Sequence, residues 1–135
     1  MFVHIPPPEV ATIFTPPTQP GSVCTGTLAD DGITPTIGEN TLVSTLFAAN
    51  GTNAGVFFGH DHGNAYCCAF STGNMTSAVN LCYGRHSGFG GYGDWPRGAR
   101  VIEISMNATF NELSINTWIR MEDGSTNSFE VLRQA

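Results

Sequence analysis

Gly55-Val56-Phe57-Phe58-Gly59-His60-Asp61-His62-Gly63 decides how this chain reads. Its first four residues are a short, uninterrupted apolar run, the pattern of a strand buried on both faces. Two histidines stand just past the C-terminal end of that run. Side chains two apart in extended chain point to one side, roughly 6.5 Å apart along the strand. His60 and His62 are therefore expected to face one cavity, where they bind one metal each or share one. Neutral imidazole nitrogen suits Zn, Fe, Mn and similar ions. Gly59 and Gly63 let the backbone turn sharply and keep the approach open. A surface loop that happens to hold two histidines is the plainer alternative.

Upstream, Asn40 or Thr41 caps a helix running to about Asn50, with Leu42, Leu46 and Ala49 on one face and Val43 and Phe47 beside them. Asn50-Gly51 is a fitting stop. Before it, residues 6–38 are rich in Pro, Thr and Gly without a period and read as a long loop, a surface excursion on a larger body. Phe2 to Ile5 reads as a short buried strand halted by Pro6-Pro7-Pro8, since proline removes a ladder donor. Strand, long loop, helix and strand make a βαβ unit, and ligand groups gather at the C-terminal strand ends of α/β sheets.

Downstream the pattern changes. Tyr66–Phe70 and Ala78–Tyr83 read as two strands joined by the polar turn Ser71-Thr72-Gly73-Asn74. Gly84 to Gly98 is a glycine-rich loop. Ala99–Met106 and Leu113–Met121 follow as strands, with a short edge strand at Phe129–Leu132. The fold class is α/β passing into antiparallel β, or α+β.

Charged residues make up 12% of the chain and the net charge is −6, so a basic surface for nucleic acid is missing. A phosphate-bearing ligand would need attraction from elsewhere, and a bound dication supplies it. No apolar run is long enough to span a bilayer. The N-terminal residues lack the basic region and apolar length of a signal peptide. Yet Cys24, Cys67, Cys68 and Cys82, with glycosylation sequons at Asn50, Asn74 and Asn107, suggest the secretory pathway. The two readings agree if the natural N-terminus lies upstream.

Adjacent Cys67 and Cys68 lack the spacing of a zinc ribbon. Either one bonded to Cys82 links the arms of the expected hairpin, and the other reaches Cys24, pinning the proline-rich loop against the His60 region. His4, in the first strand, is a third candidate ligand, with a core histidine satisfied by a carbonyl as the alternative. His86 is a candidate to face substrate, or a solvated loop histidine. Arg97 and Arg100, near Trp95, offer an anion site or a structural pairing with acidic groups.

Three stretches in order resemble the calcineurin-like metallophosphoesterases, in the branch related to purple acid phosphatases. They are His4-Ile5-Pro6 to Glu9, Gly59-His60-Asp61-His62, and Leu81-Cys82-Tyr83-Gly84 through Arg97-Gly98-Ala99-Arg100-Val101. The resemblance implies a β-sandwich flanked by helices, of which residues 1–135 are the C-terminal portion. It implies His4 and His60 on one metal, His62 on the other, and Asp61 outside both shells. Two metal ions (Fe, Mn or Zn) would then hydrolyse a phosphate ester through a metal-bound hydroxide. The family's Asp-x-His, Gly-Asp-x-x-Asp and Gly-Asn-His-Asp/Glu motifs are not in this chain. The expectation is thus an incomplete site, inactive alone, that needs the missing N-terminal part of the domain. The rival readings are a secreted disulfide-stapled β protein with a binding role, and a single-metal binding module.

Overall fold

The computed structural model describes residues 1–13, 23–26, 29–37, 41–48, 55–70, 79–107 and 112–133. Its elements are α1 (Pro8–Ile13), β1 (Val23–Thr25), α2 (Leu42–Ala48), β2 (Gly55–Phe58), β3 (Cys67–Phe70), β4 (Val79–Tyr83), β5 (Gly98–Asn107), β6 (Glu112–Met121) and β7 (Thr126–Arg133). One sheet has the order β1-β3-β4-β2 and the other β5-β6-β7. Within the first, β2 runs parallel to β4 while the other neighbours are antiparallel.

Alternation along the first sheet explains the layering. Val56, Phe58, Cys68, Leu81 and Tyr83 pack with Val10 of α1 and Val43 of α2. Phe57, Cys67 and Cys82 point the other way and pack with Leu132, Ile102 and Ile115 of the second sheet. β2 and β4 are therefore buried on both faces, which is why Gly55–Phe58 is apolar without a gap. The result is a helix layer, a mixed sheet and an antiparallel sheet: the expected α+β sandwich with helices on its flank.

The helix, the hairpin and the two long strands lie close to where the sequence places them. Thr41 precedes α2 and its carbonyl accepts from the N–H of Thr45 (2.7 Å) and the hydroxyl of Ser44 (2.9 Å). Three details differ. The expected strand Phe2–Ile5 is a single parallel bridge from Phe2 to Phe57, with Val3 N–H donating to the Phe57 carbonyl at 3.0 Å. Residues 6–38 contain α1 and β1 rather than loop throughout. The last strand is eight residues, not four, because Asp123-Gly124 makes a tight turn after β6, with Gly124 at φ 87°. The expected turn at Ser71–Asn74 falls outside the described residues.

Both disulfides form along neighbouring strands of the first sheet. Cys67 is the register partner of Cys82, and Cys68 that of Cys24. The bonds are Cys67–Cys82 and Cys24–Cys68, with Cα atoms 4.1 and 4.0 Å apart. Adjacent residues of a strand face opposite ways, so one bond lies between the sheets and the other on the helix side.

Candidate functional site

Three parallel segments end side by side: residues 1–4, β2 and β4. Gly59 N–H donates to the His4 carbonyl (3.2 Å) and Gly84 N–H to the Phe58 carbonyl (2.6 Å). The loops leaving these ends carry His4, His60 and Arg85. His4 and His60 meet edge to face, ring centroids 5.2 Å apart, with His60 Nδ1 3.4 Å from His4 Nε2.

The chain turns immediately after His60. Asn64 N–H donates to the Asp61 carbonyl at 3.2 Å, so the alternation of an extended strand does not carry through to His62. Asp61 points inward and is 3% exposed. Its carboxylate accepts from Tyr83 Oη (2.8 Å) and from the backbone N–H of Thr34 (3.2 and 3.3 Å). His62 lies between two rings, Tyr92 at 4.5 Å and 14° and His86 at 4.4 Å and 32°. Tyr92 Oη accepts from the His62 N–H at 2.9 Å and donates to Asp31. His60 and His62, expected on one side of a strand, thus enter two different clusters.

His86 is not a solvated loop residue: it is 5% exposed. Its Nε2–H donates to the Gly90 carbonyl at 2.8 Å, since a carbonyl can only accept. Nδ1 of His62 and Nδ1 of His86 are buried without a hydrogen-bond partner among the described residues. Of the two flanking glycines, only Gly63 is forced. A Cβ there would lie 2.5 Å from the Trp95 ring and 2.8 Å from Asp31, whereas Gly59 has open space around it. Sequence inspection pointed to neither Trp95 against Gly63 nor the Tyr92–Asp31 tie, because both join segments far apart in the chain.

Residues 29–37 lace this edge together. Asp30 N–H donates to the Gly63 carbonyl and Thr36 N–H to the Pro6 carbonyl, both at 3.0 Å. Arg97 and Arg100 serve structure. Arg97 donates to the Trp95 and Gly93 carbonyls, and Arg100 reaches between the sheets to two carbonyls and a hydroxyl.

The tyrosines give this edge an alkaline limit. Burial, then the hydrogen bond and charge of Asp61, push the Tyr83 hydroxyl far above its usual range. Burial, then the Asp61 charge, do the same to Tyr66. A phenol whose folded pKa is raised stabilises fully below the unfolded pKa of about 10 and progressively less above it. Stability is expected to hold to about pH 10 and then fall by up to ~1.4 kcal/mol per pH unit for each such tyrosine. Absorbance at 295 nm should show Tyr66 and Tyr83 ionising together with loss of far-UV dichroism. Ionisation of both before unfolding would contradict the buried Asp61–Tyr83 pair.

Among the described residues no group of three or more His, Cys, Asp or Glu side chains converges on one point. Nor, among the described residues, is any helix long and apolar enough to cross a membrane. No family model matches the sequence, and no solved structure matches it. Three curated proteins of Arabidopsis thaliana do. The chain is 33% identical over 130 residues to "Probable inactive purple acid phosphatase 14", covering 91% of this chain and 29% of that protein. It is 33% identical over 129 residues to "Probable inactive purple acid phosphatase 29", covering 90% and 30%. To "Probable inactive purple acid phosphatase 28" it is 31% identical over 132 residues, covering 90% and 29%. The chain therefore spans under a third of the length of the curated relatives it matches. By these matches over 90–91% of its own length, this polypeptide is related to the purple acid phosphatases.

Proposed function

We propose that residues 1–135 are the C-terminal portion of a metal-dependent phosphoesterase domain and supply its imidazole metal ligands. The observation that carries this is the His4–His60 pair. Two bonds of about 2.0–2.1 Å to a tetrahedral ion place their nitrogens roughly 3.3–3.4 Å apart. The two imidazole nitrogens stand 3.4 Å apart, on loops held in place by the backbone bond between Gly59 and His4. His62 is assigned to the second ion of the dinuclear centre that purple acid phosphatases use, through its uncommitted buried Nδ1. Asp61, engaged by Tyr83 and Thr34, orients the loop rather than binding metal.

Two ions in the complete domain would supply the nucleophile and offset charge on a phosphate ester. What this chain's residues do is narrower. His4 and His60 offer lone pairs, and the Asp61 turn and the Tyr92–Asp31 tie hold their loop still. The carboxylates at this edge, Asp31 and Asp61, are engaged by Tyr92, Tyr83 and Thr34 rather than set between two ions, so the isolated chain is expected to hydrolyse nothing. The names of the relatives call those proteins probably inactive, which agrees with this reading without deciding it for this chain. Two disulfides favour production in an oxidising compartment, the secretory pathway, with Asn107 at the end of β5 as one candidate glycan site.

Zinc titration by calorimetry is expected to show binding that His4→Ala or His60→Ala each weakens by about tenfold or more. p-Nitrophenyl phosphate turnover by the isolated chain should stay at the buffer rate with Mn, Fe or Zn. Robust metal-dependent turnover would sink the incomplete-site reading, and unchanged zinc affinity in both variants would sink the ligand assignment. A one-ion binding module is the second reading, favoured by the separation of His62 from the His4–His60 pair. A stoichiometry of one that His62→Ala leaves intact would select it.

A further inference from the structure

The antiparallel sheet ends on β5, and that edge is bare. β6 pairs with it on one side, and among the described residues no strand lies on the other. At its start Gly98 N–H donates to the His86 carbonyl at 3.1 Å. From Val101 to Met106 no strand other than β6 pairs with it among the described residues. Proteins blunt such an edge with lysine, proline, a bulge or a very short strand, because its free N–H and C=O groups are a template for another chain. β5 has ten residues without a proline, the chain has no lysine, and the bulge of this sheet lies between β6 and β7. Its exposed charge, Glu103, is spent within the sheet on Asn116.

The inner face loses its cover in the same direction. Register sets Leu132, Ile115 and Ile104 in one row across β7, β6 and β5. Leu132 is 3% exposed, Ile115 is half-buried and Ile104 is 66% exposed. The first sheet thus covers β7 and β6 along this row and stops short of β5. Met106, two residues on along the same face, is 69% exposed. The opposite face is polar and satisfied within the sheet, Glu103 paired with Asn116 and Ser105 with Ser114, both at 2.8 Å. An antiparallel sheet with one wet face keeps its other face covered. Beside this edge a cleft of about 340 Å³ opens between the sheets, lined by Phe2, Phe57 and Ile102 among others. Phe2 stands 72% exposed there, its ring stacked on that of Phe57 at 5.4 Å.

We propose that a second copy of the chain covers this edge, its β5 running antiparallel to the first about a two-fold axis at Ile104. The sequence of β5 matches its own reverse in that register. With Ile104 opposite Ile104, Ile102 meets Met106 on the inner face and Glu103 meets Ser105 on the polar face. An axis at Glu103 would set two carboxylates directly opposite, which destabilises a strand pair. An axis at Ile102 would set Ile104 against Arg100, whose guanidinium is already spent between the sheets. The axis at Ile104 also carries each exposed Met106 to the other copy's Ile102, where the cleft beside Phe2 stands open. An exposed apolar side chain and an apolar-walled gap are thus exchanged between copies. The contact is isologous, so it closes at two chains through this edge. It stands apart from the metal-ligand reading, since none of its residues is a proposed ligand.

The test is the mass of the 135-residue chain, disulfides intact, by sedimentation velocity across a dilution series. A dimer is expected at about 200 μM and a monomer at about 1 μM, as a small interface allows. Ile104→Lys and Ile104→Glu should each stay monomeric at about 200 μM, because each sets like charges opposite one another. Mixed in equal amounts the two should dimerise, since an axis at residue 104 puts lysine against glutamate. Phe2→Ser should weaken wild-type association by about threefold or more. Hydrogen exchange of amides 101–106 should slow as concentration rises, while that of β7 amides does not change. Ile104 is mostly exposed in the monomer, so both variants should keep the wild-type melting temperature at low concentration. If either fails to fold, Met106→Ser is expected to weaken dimerisation in its place. A monomer at every concentration overturns the proposal, as does a dimer that folded Ile104→Lys leaves intact. Two charge variants that do not associate on mixing overturn the register. Slowed exchange in β7 instead of β5 overturns the assignment of the edge.

Discussion

Reduction of both disulfides is expected to unfold this chain near physiological temperature. Cys67–Cys82 closes a 15-residue separation and Cys24–Cys68 one of 44 residues. By loop-closure entropy these constrain the unfolded chain by about 3 and about 4 kcal/mol. Domains of this size are stable by roughly 5–15 kcal/mol in total, so losing both removes half or more of the margin. The two bonds are not equivalent. Cys67 and Cys82 are buried between the sheets, at 4% and 0% exposure. Cys24 is exposed, on the three-residue edge strand β1. Graded reductant followed by alkylation and mass mapping should label Cys24 and Cys68 first, while Cys67–Cys82 persists into a folded intermediate. Thermal melts should then fall by at least about 15 °C when the second bond opens. Simultaneous labelling of all four cysteines, or a melt that reductant does not move, would contradict this account.

Arg100→Met is expected to cost about 3 kcal/mol, more than any other single arginine replacement. Arg100 leaves β5 on the inner face, opposite Ile119, and reaches across the gap between the sheets. Nε donates to the Tyr83 carbonyl at 2.7 Å, Nη2 to the Ala65 carbonyl at 3.2 Å and Nη1 to Thr117 Oγ1 at 3.2 Å. Thr117 Oγ1 passes its own proton to the Val101 carbonyl at 2.7 Å. The two carbonyls lie at the end of β4 and just before β3, where the antiparallel sheet covers them. Methionine fills much of the volume but removes the donor that each receives from Arg100, and weakening buried acceptors costs more than the bonds contribute. Lysine offers one nitrogen where three directions are needed, so Arg100→Lys should recover less than half of the loss. Urea unfolding monitored by Trp95 and Trp118 fluorescence measures this. A shift of the Arg100→Met midpoint worth less than about 1 kcal/mol would show that water satisfies those carbonyls. Arg97→Met serves as the comparison, since Arg97 donates to nearby carbonyls of its own loop.

Much of the fold is written in local pattern. The apolar run Gly55–Phe58 is continuous because both faces of β2 are covered, one by α1 and α2 and the other by β5–β7. The helix over 42–48 and the paired strands 98–107 and 112–121 follow from period and turn residues, which act over a few positions and need no partner to be recognised. The pairing of four cysteines into a hairpin link and a link to Cys24 was legible too. Which of Cys67 and Cys68 takes which partner was not. That choice depends on which face of β3 looks toward the second sheet, and a one-residue change of register would reverse it.

The same limit applies to the site. His4, His60 and His62 stand out in the sequence as imidazoles at strand ends, and residue type alone determines that they can bind a metal. Tertiary structure decides their grouping. Parallel pairing of residues 1–4 with β2 brings His4 to His60, while the Asp61 turn, tied to Tyr83 across the sheet and to Thr34, rotates His62 away into a stack with Tyr92 and His86. Sequence separation hides these contacts, since Asp31 and Tyr92 meet across 61 positions. Spacing in a sequence reports geometry only while the chain keeps one regular conformation. At His60 the strand ends, and beyond it long-range hydrogen bonds and ring packing set where each side chain points.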